Sequence, residues 1–150
     1  MTDSLYWIWF QLVFGVGSRR AGLLLSYFDD PEEIYRGMKE PGKIREIASP
    51  KELEAAEAAL SAARNIKERT LKKGCFLLTP DQEEYPALLR EIYAKPAVLY
   101  GKGDLTCLRD ALAVAVVGPR EPDDYGRKVT RQLAGDLAAS GAVIISGLAN

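Results

Sequence analysis

The chain has 150 residues, of which 47% are hydrophobic, with a formal net charge of −1 and an isoelectric point near 5.6. This size and apolar content fit one globular domain or two small ones, and the lack of an overall positive charge confines any nucleic-acid site to a local patch or to backbone amides. The chain has no histidine, which argues against a zinc site and against Ser-His or Cys-His pairs, and no apolar run has the length of a membrane span.

Residues 1–74 have the apolar spacing of helices. The segment Met1–Phe14 is apolar and aromatic but lacks the basic start of a signal peptide, so we expect a core helix that buries Trp7 and Trp9. Residues that favour helix starts precede the later apolar segments: Ser18, Asp30 and Ser49. The longest helix is predicted to end at Gly74, where the boundary of this helical module is placed.

The turn Gly15-Val16-Gly17 separates the first two predicted helices and is followed by Ser18-Arg19-Arg20. This arrangement resembles a helix-hairpin-helix element. The resemblance implies that Gly15 and Gly17 present backbone amides to a nucleic-acid phosphate and that Arg19 and Arg20 add positive charge beside it. The alternative is an ordinary turn between helices with two solvated arginines.

After Gly74 the pattern changes to short strands. The predicted strands are Cys75–Thr79, Pro96–Tyr100, Val114–Val117 and Val143–Ile145. Four apolar residues in a row predict that Val114–Val117 is buried on both faces of a parallel sheet. Helical spacing between the last two strands indicates a βαβ unit with a crossover helix that starts near Tyr125-Gly126. The fold class is therefore α/β, with a helical module followed by a parallel sheet.

The remaining candidate residues favour structural roles. An aromatic group, Tyr85, Tyr93 and Tyr100, could stack on bases, but its position around a short helix and a strand favours packing. Cys75 and Cys107 are isolated in sequence, which favours buried thiols in a reducing cytoplasm over a disulfide. No nucleophile-base pair is visible, so the sequence predicts neither catalysis nor a cofactor.

Two glycine loops at predicted strand ends are the main candidate site. Gly118 directly follows one strand, and Arg120 can reach the same ligand with a guanidinium group suited to phosphate. Ser146 and Gly147 end the neighbouring strand, and the crossover helix at Tyr125-Gly126 points its first amides toward that edge. This pattern predicts phosphate binding, although a βαβ unit also needs a turn after its strand for purely structural reasons. It is not the G-x-G-x-x-G dinucleotide fingerprint.

The order of several sequence blocks resembles the bacterial DNA-processing protein A (DprA/Smf) family. The blocks are Tyr85–Ile92, Pro96–Gly103, Val114–Arg120, Tyr125-Gly126 and Ser146–Ala149. Residues 1–74 resemble, with less specific motifs, the sterile-alpha-motif-like or helix-hairpin-helix region of that family.

The resemblance implies an extended Rossmann-like fold that binds single-stranded DNA without sequence preference. It also implies a cytoplasmic homodimer without established catalytic activity that protects incoming strands during natural transformation and passes them to the recombinase RecA. By position, Gly118, Arg120, Ser146 and Gly147 fall on the phosphate-contacting loops, and Tyr125-Gly126 falls on the start of the crossover helix.

Two departures from the family pattern qualify these expectations. Pro119 stands where the family usually has Ser or Thr, which removes an amide and a hydroxyl from the loop. The sequence also stops at Asn150, where the family continues with further strands, so we expect residues 75–150 to be the first half of a Rossmann-like domain. Two alternatives remain open: a Rossmann-like enzyme that binds nucleotide phosphoribosyl groups, as in lysine-decarboxylase-like proteins, and a protein-interaction role for residues 1–74.

Overall fold

A computed structural model describes residues 2–28, 30–108 and 111–147. Contacts divide the chain into two units, Met1–Gly103 and Asp104–Asn150. The helices of the first unit are α1 (Ser4–Phe14), α2 (Arg19–Tyr27), α3 (Pro31–Gly37), α4 (Lys43–Ile47), α5 (Pro50–Lys72) and α6 (Ala87–Glu91), and its strands are β1 (Phe76–Leu78) and β2 (Leu99–Gly101). The second unit has a 3₁₀ turn (Thr106–Leu108), β3 (Ala113–Val116), α7 (Asp124–Ala139) and β4 (Val143–Ser146). Within the described ranges, no helix combines the length and apolarity needed to cross a membrane.

The core of the first unit forms where α1 packs against α5, and the prediction of a buried aromatic first helix is confirmed. Trp9 is fully buried, and its indole N–H donates a hydrogen bond to the Ala56 carbonyl at 2.7 Å. The Phe14 ring meets Trp9 edge-on, with ring centroids 6.3 Å apart. Trp7 is also buried, but its indole nitrogen has no hydrogen-bond partner within the described part of the chain.

The predicted helix starts are confirmed because each depends on a local capping side chain. Ser18 and Asp30 each accept a hydrogen bond from a backbone N–H in the first turn of the helix that follows. Ser49 forms a complete capping box with Glu52 at the start of α5. Gly74 follows the end of α5 in the left-handed conformation, with φ of 67°.

An antiparallel pair, β1 and β2, belongs to the first unit. The Val98 N–H donates to the Gln11 side chain at 2.9 Å, which ties the start of β2 to α1. Tyr85 is buried, as expected, and its hydroxyl donates to the Pro96 carbonyl at 2.7 Å. The helix-to-strand change falls near Gly74 as predicted, but these contacts extend the unit to Gly103.

The second unit is the predicted βαβ element, with β3 and β4 parallel and α7 as the crossover helix. The prediction that Val114–Val117 is buried on both faces was wrong, because exposure alternates along β3 and Val117 is 90% exposed. The reason is that two strands and one helix do not cover both faces of a sheet. The prediction that both cysteines are buried was also wrong, because Cys107 lies exposed in the 3₁₀ turn and Cys75 is half-buried. The α/β class, with a helical module before a small parallel sheet, is confirmed.

Candidate nucleic-acid interface

The two glycine loops follow neighbouring strand ends in the second unit. In the parallel register Val116 lies opposite Ser146, so Gly118 and Gly147 both follow the carboxyl edge of the same two-stranded sheet. This is the edge at which open α/β sheets bind ligands. The structure therefore brings the two predicted loops together. The family block beyond Gly147, residues 148 and 149, lies outside the described residues.

Neither loop glycine is required by its own backbone or by close packing. Gly118 and Gly147 do not have a positive φ, and within the described residues no atom lies within 4 Å of a Cβ placed on either. Gly141, at the end of α7, contrasts with them because its φ of 92° explains the glycine. The two loop glycines leave the backbone open to a ligand at this edge.

Arg120 is the exposed cation of the first loop. Its side chain has no hydrogen-bond or ion-pair partner among the described residues. A guanidinium group that no carboxylate holds can offer a forked pair of donors to a phosphate. Pro119, which precedes it, contributes no N–H to the loop.

The start of α7 differs from its predicted role as an anion site. The Gly126 N–H donates to the Asp123 carboxylate at 2.7 Å, so this amide already has an acceptor. Asp124 adds a second carboxylate in the first turn, and both acids oppose an anion at this helix end. Tyr125 is 75% exposed beside them. Tyr125 and Gly126 thus mark the helix start as predicted, while the Gly126 amide is occupied.

A basic face on α7 was missed by the sequence reasoning. Arg127, Lys128 and Arg131 line an open groove of about 460 Å³ together with Asp124 and Gln132. The signal was present in the spacing, because residues three and four apart lie on the same side of a helix. These cations follow the first turn of α7 and add positive charge where its two acids reduce it.

The hairpin between α1 and α2 has the backbone that its glycines predict. Gly15 and Gly17 have φ of 77° and 75°, a region that other residues rarely adopt. The Gly15 N–H donates to the Gln11 carbonyl at 2.9 Å and is therefore engaged in ending α1. The amides of Val16 and Gly17 have no acceptor in the described part of the chain, so these two can face a phosphate.

The two arginines after the hairpin have different surroundings. Arg19 is exposed, and its side chain has no partner among the described residues. The Arg20 Nε instead donates to Glu52 Oε1 at 3.0 Å. Burial raises the pKa of Glu52, but hydrogen bonds from Ser49 and Arg20 outweigh it and lower the pKa below its usual value. Glu52 is therefore a carboxylate at neutral pH and offsets the charge of Arg20.

Tyr93 lies beside the hairpin, a position that no local sequence pattern predicts. Its hydroxyl donates to the Arg19 carbonyl at 3.2 Å, and a Cβ on Gly22 would lie 3.1 Å from its ring. Tyr93 is 63% exposed, so it packs against α2 at the surface and is not a core residue. Tyr100 is 46% exposed and is likewise not a core residue.

Comparison with known proteins finds similarity over the whole chain, with the clearest match in its second half. The family described as DNA recombination-mediator protein A matches residues 76–150. The DNA processing protein DprA of Bacillus subtilis is 38% identical over 79 residues, which cover 53% of this chain and 27% of that protein. Protein Smf of Synechocystis sp. is 31% identical over 156 residues, which cover 99% of this chain and 38% of that protein. The chain thus spans well under half the length of these two relatives, and no solved structure matches it.

Proposed function

Because the chain belongs to the DNA recombination-mediator protein A (DprA/Smf) family, we propose that it binds single-stranded DNA without sequence preference. Its contacts are to phosphates, made by backbone and by Arg120 at the edge formed by Gly118, Ser146 and Gly147. Phosphate contacts fix a strand without reading its bases, which gives binding that tolerates any sequence.

The observation that carries this proposal is the pair of open glycine loops in register. Neither Gly118 nor Gly147 is needed for a left-handed backbone or for close packing, and the exposed Arg120 has no ion-pair partner among the described residues. The basic face of α7 adds positive charge in the same unit. The hairpin amides of Val16 and Gly17, with Arg19, are a second contact in the first unit.

The wider role that we propose is to protect incoming strands during natural transformation and to deliver them to the recombinase RecA in the cytoplasm. In this proposal the complete protein is a homodimer and not an enzyme. The family is described by a part in DNA recombination rather than by a catalysed reaction, which favours this reading over an enzyme that binds nucleotide phosphoribosyl groups.

A matched pair of glycine substitutions tests the loop site. Gly118→Ala places a methyl group where the DNA backbone approaches in this proposal. Gly135→Ala adds one to the middle of α7, and at both positions the described residues place no atom within 4 Å of it. We expect Gly118→Ala to weaken binding of a labelled oligothymidylate, measured by fluorescence anisotropy, without changing the melting temperature. Gly135→Ala should bind as the unchanged chain does and melt slightly higher, because alanine favours helix. Equal affinity of both variants would contradict the loop site.

A further inference from the structure

A groove at the end of α5 is separate from the glycine loops and from the hairpin. It has a volume of about 210 Å³ and lies where the last turns of α5 meet the β1–β2 pair, all within the first unit. The lining residues are Ile66, Arg69, Thr70, Lys73, Cys75 and Tyr100. No acidic residue is among them.

The charge around this groove is strongly positive for a chain with a net charge of −1. Residues 64–73 include five basic residues and one acidic residue, Glu68. Lys67 pairs with Asp3, but Arg69 and Lys73 have no carboxylate partner in the described part of the chain. Cations at a helix C-terminus interact favourably with the helix dipole, but this effect does not account for the aromatic ring and the apolar side chain that line the same groove.

Tyr100 supplies that ring. It lies on β2 opposite Leu77 in the antiparallel register, and 46% of it is exposed. A tyrosine hydroxyl is neutral near pH 7, and partial burial raises the pKa of this phenol further, so it does not repel an anion. A half-exposed ring beside two free cations is the combination with which proteins hold single strands, because the ring stacks on a base and the cations contact phosphates.

We propose that this groove holds one nucleotide of a single strand, with the base against Tyr100 and the phosphate between Arg69 and Lys73. The ligand class rests on the proposed function, but the site lies in the other unit from the glycine loops and can be tested separately. A free nucleotide has the same base and phosphate as a nucleotide within a strand, so the experiment has to distinguish binding of a single strand from binding of a free nucleotide.

Binding of labelled oligothymidylate and of its abasic counterpart, which has the same backbone without bases, tests the stacking. Tyr100→Leu should weaken binding of oligothymidylate about five-fold or more and leave the abasic strand unaffected, whereas Tyr100→Phe should bind as the unchanged chain does. The double variant Arg69→Gln with Lys73→Gln should weaken binding of both strands and lower the slope of log affinity against log salt by about 0.7, because the two cations share one phosphate. Arg64→Gln, an exposed arginine on another face of α5, is the matched control and should have little effect. Circular dichroism and melting confirm that each variant folds.

Cys75 gives an independent readout because it is one of the residues that line the groove. Oligothymidylate should slow alkylation of Cys75 relative to Cys107, the reference thiol in the same molecule, and Tyr100→Leu should remove this protection. Equal alkylation of Cys75 with and without the strand would overturn the proposal. Protection by thymidine monophosphate at concentrations as low as those of the strand would also overturn it, in favour of a free-nucleotide site.

The outcomes separate the two proposals. If Gly118→Ala weakens binding and the groove variants do not, the groove is excluded while the glycine loops stand. If only the groove variants weaken binding, the loop site fails and the groove stands. If the unchanged chain binds no single strand, both fail.

Discussion

Glu52 joins the start of α5 to the helix that follows the hairpin, and its substitution by glutamine tests this connection. One carboxylate oxygen, Oε2, accepts the Ser49 N–H at 2.6 Å and the Ser49 hydroxyl at 2.7 Å. The other, Oε1, accepts the Arg20 Nε at 3.0 Å. Glutamine has a single acceptor oxygen, so Glu52→Gln can keep the cap or the contact with Arg20, but not both.

The free-energy cost of Glu52→Gln follows from the exposure of the Glu52 and Arg20 side chains. The Glu52 side chain is only 9% exposed, whereas that of Arg20 is 52% exposed, so solvent weakens the ion pair to at most about 1 kcal/mol. We expect Glu52→Gln to lower the free energy of unfolding by about 1 kcal/mol. Glu52→Ala also loses the capping hydrogen bonds and should cost about 2 kcal/mol. Glu54→Gln, an exposed acid on the same helix, should cost less than about 0.5 kcal/mol.

The free-energy cost of Glu52→Gln depends on pH, and the pKa of Glu52 determines the direction of this dependence. The pKa of Glu52 is lower in the folded chain than its usual value, so its contribution is complete above the unfolded pKa and is lost as the pH falls through the folded pKa. Urea unfolding at a series of pH values should therefore show a constant cost of Glu52→Gln near neutrality that shrinks below about pH 4. A cost that is absent at pH 7, or that does not change on acidification, would refute this reasoning.

Two further predictions concern the core and the hairpin of the first unit. Trp9→Phe should lower the free energy of unfolding by about 2 kcal/mol because it loses the buried hydrogen bond to the Ala56 carbonyl. Trp7→Phe should cost about 1 kcal/mol less, since the Trp7 indole nitrogen has no hydrogen-bond partner among the described residues. Equal costs of the two variants in urea unfolding would argue against this difference. Gly17→Ala should cost about 1 kcal/mol through backbone strain alone, because φ is 75° and no atom of the described residues lies within 4 Å of the added methyl group. An unchanged melting temperature would count against the left-handed turn.

The sequence predicted those features that depend on neighbouring residues. Ser18, Asp30 and Ser49 start helices because a capping side chain reaches amides only two or three residues away. The two glycine loops could be placed in the same way, since Gly118 directly follows an apolar run and Ser146-Gly147 ends another. Adjacent parallel strands then bring both loops to one edge.

Features that join distant parts of the chain could not be predicted. Arg20 pairs with Glu52 across 32 positions, and Tyr93 lies against Arg19 across 74 positions. No local pattern encodes either contact, so Arg20 was predicted as a free cation and the packing of Tyr93 against α2 was not predicted. The exposure of Val117 was also missed, because a run of apolar residues indicates a strand but does not state how many neighbouring elements cover it.

The salt dependence of single-strand binding by Arg120→Gln tests the central claim most directly. Each phosphate contact on a single strand contributes about 0.7 to the slope of log affinity against log salt. Since Arg120 is exposed and unpaired among the described residues, Arg120→Gln should lower the affinity for oligothymidylate and reduce this slope by about 0.7, with an unchanged melting temperature. Arg64→Gln serves as the control for the loss of one positive charge elsewhere. An affinity and a slope equal to those of the unchanged chain would contradict phosphate binding at the glycine loops.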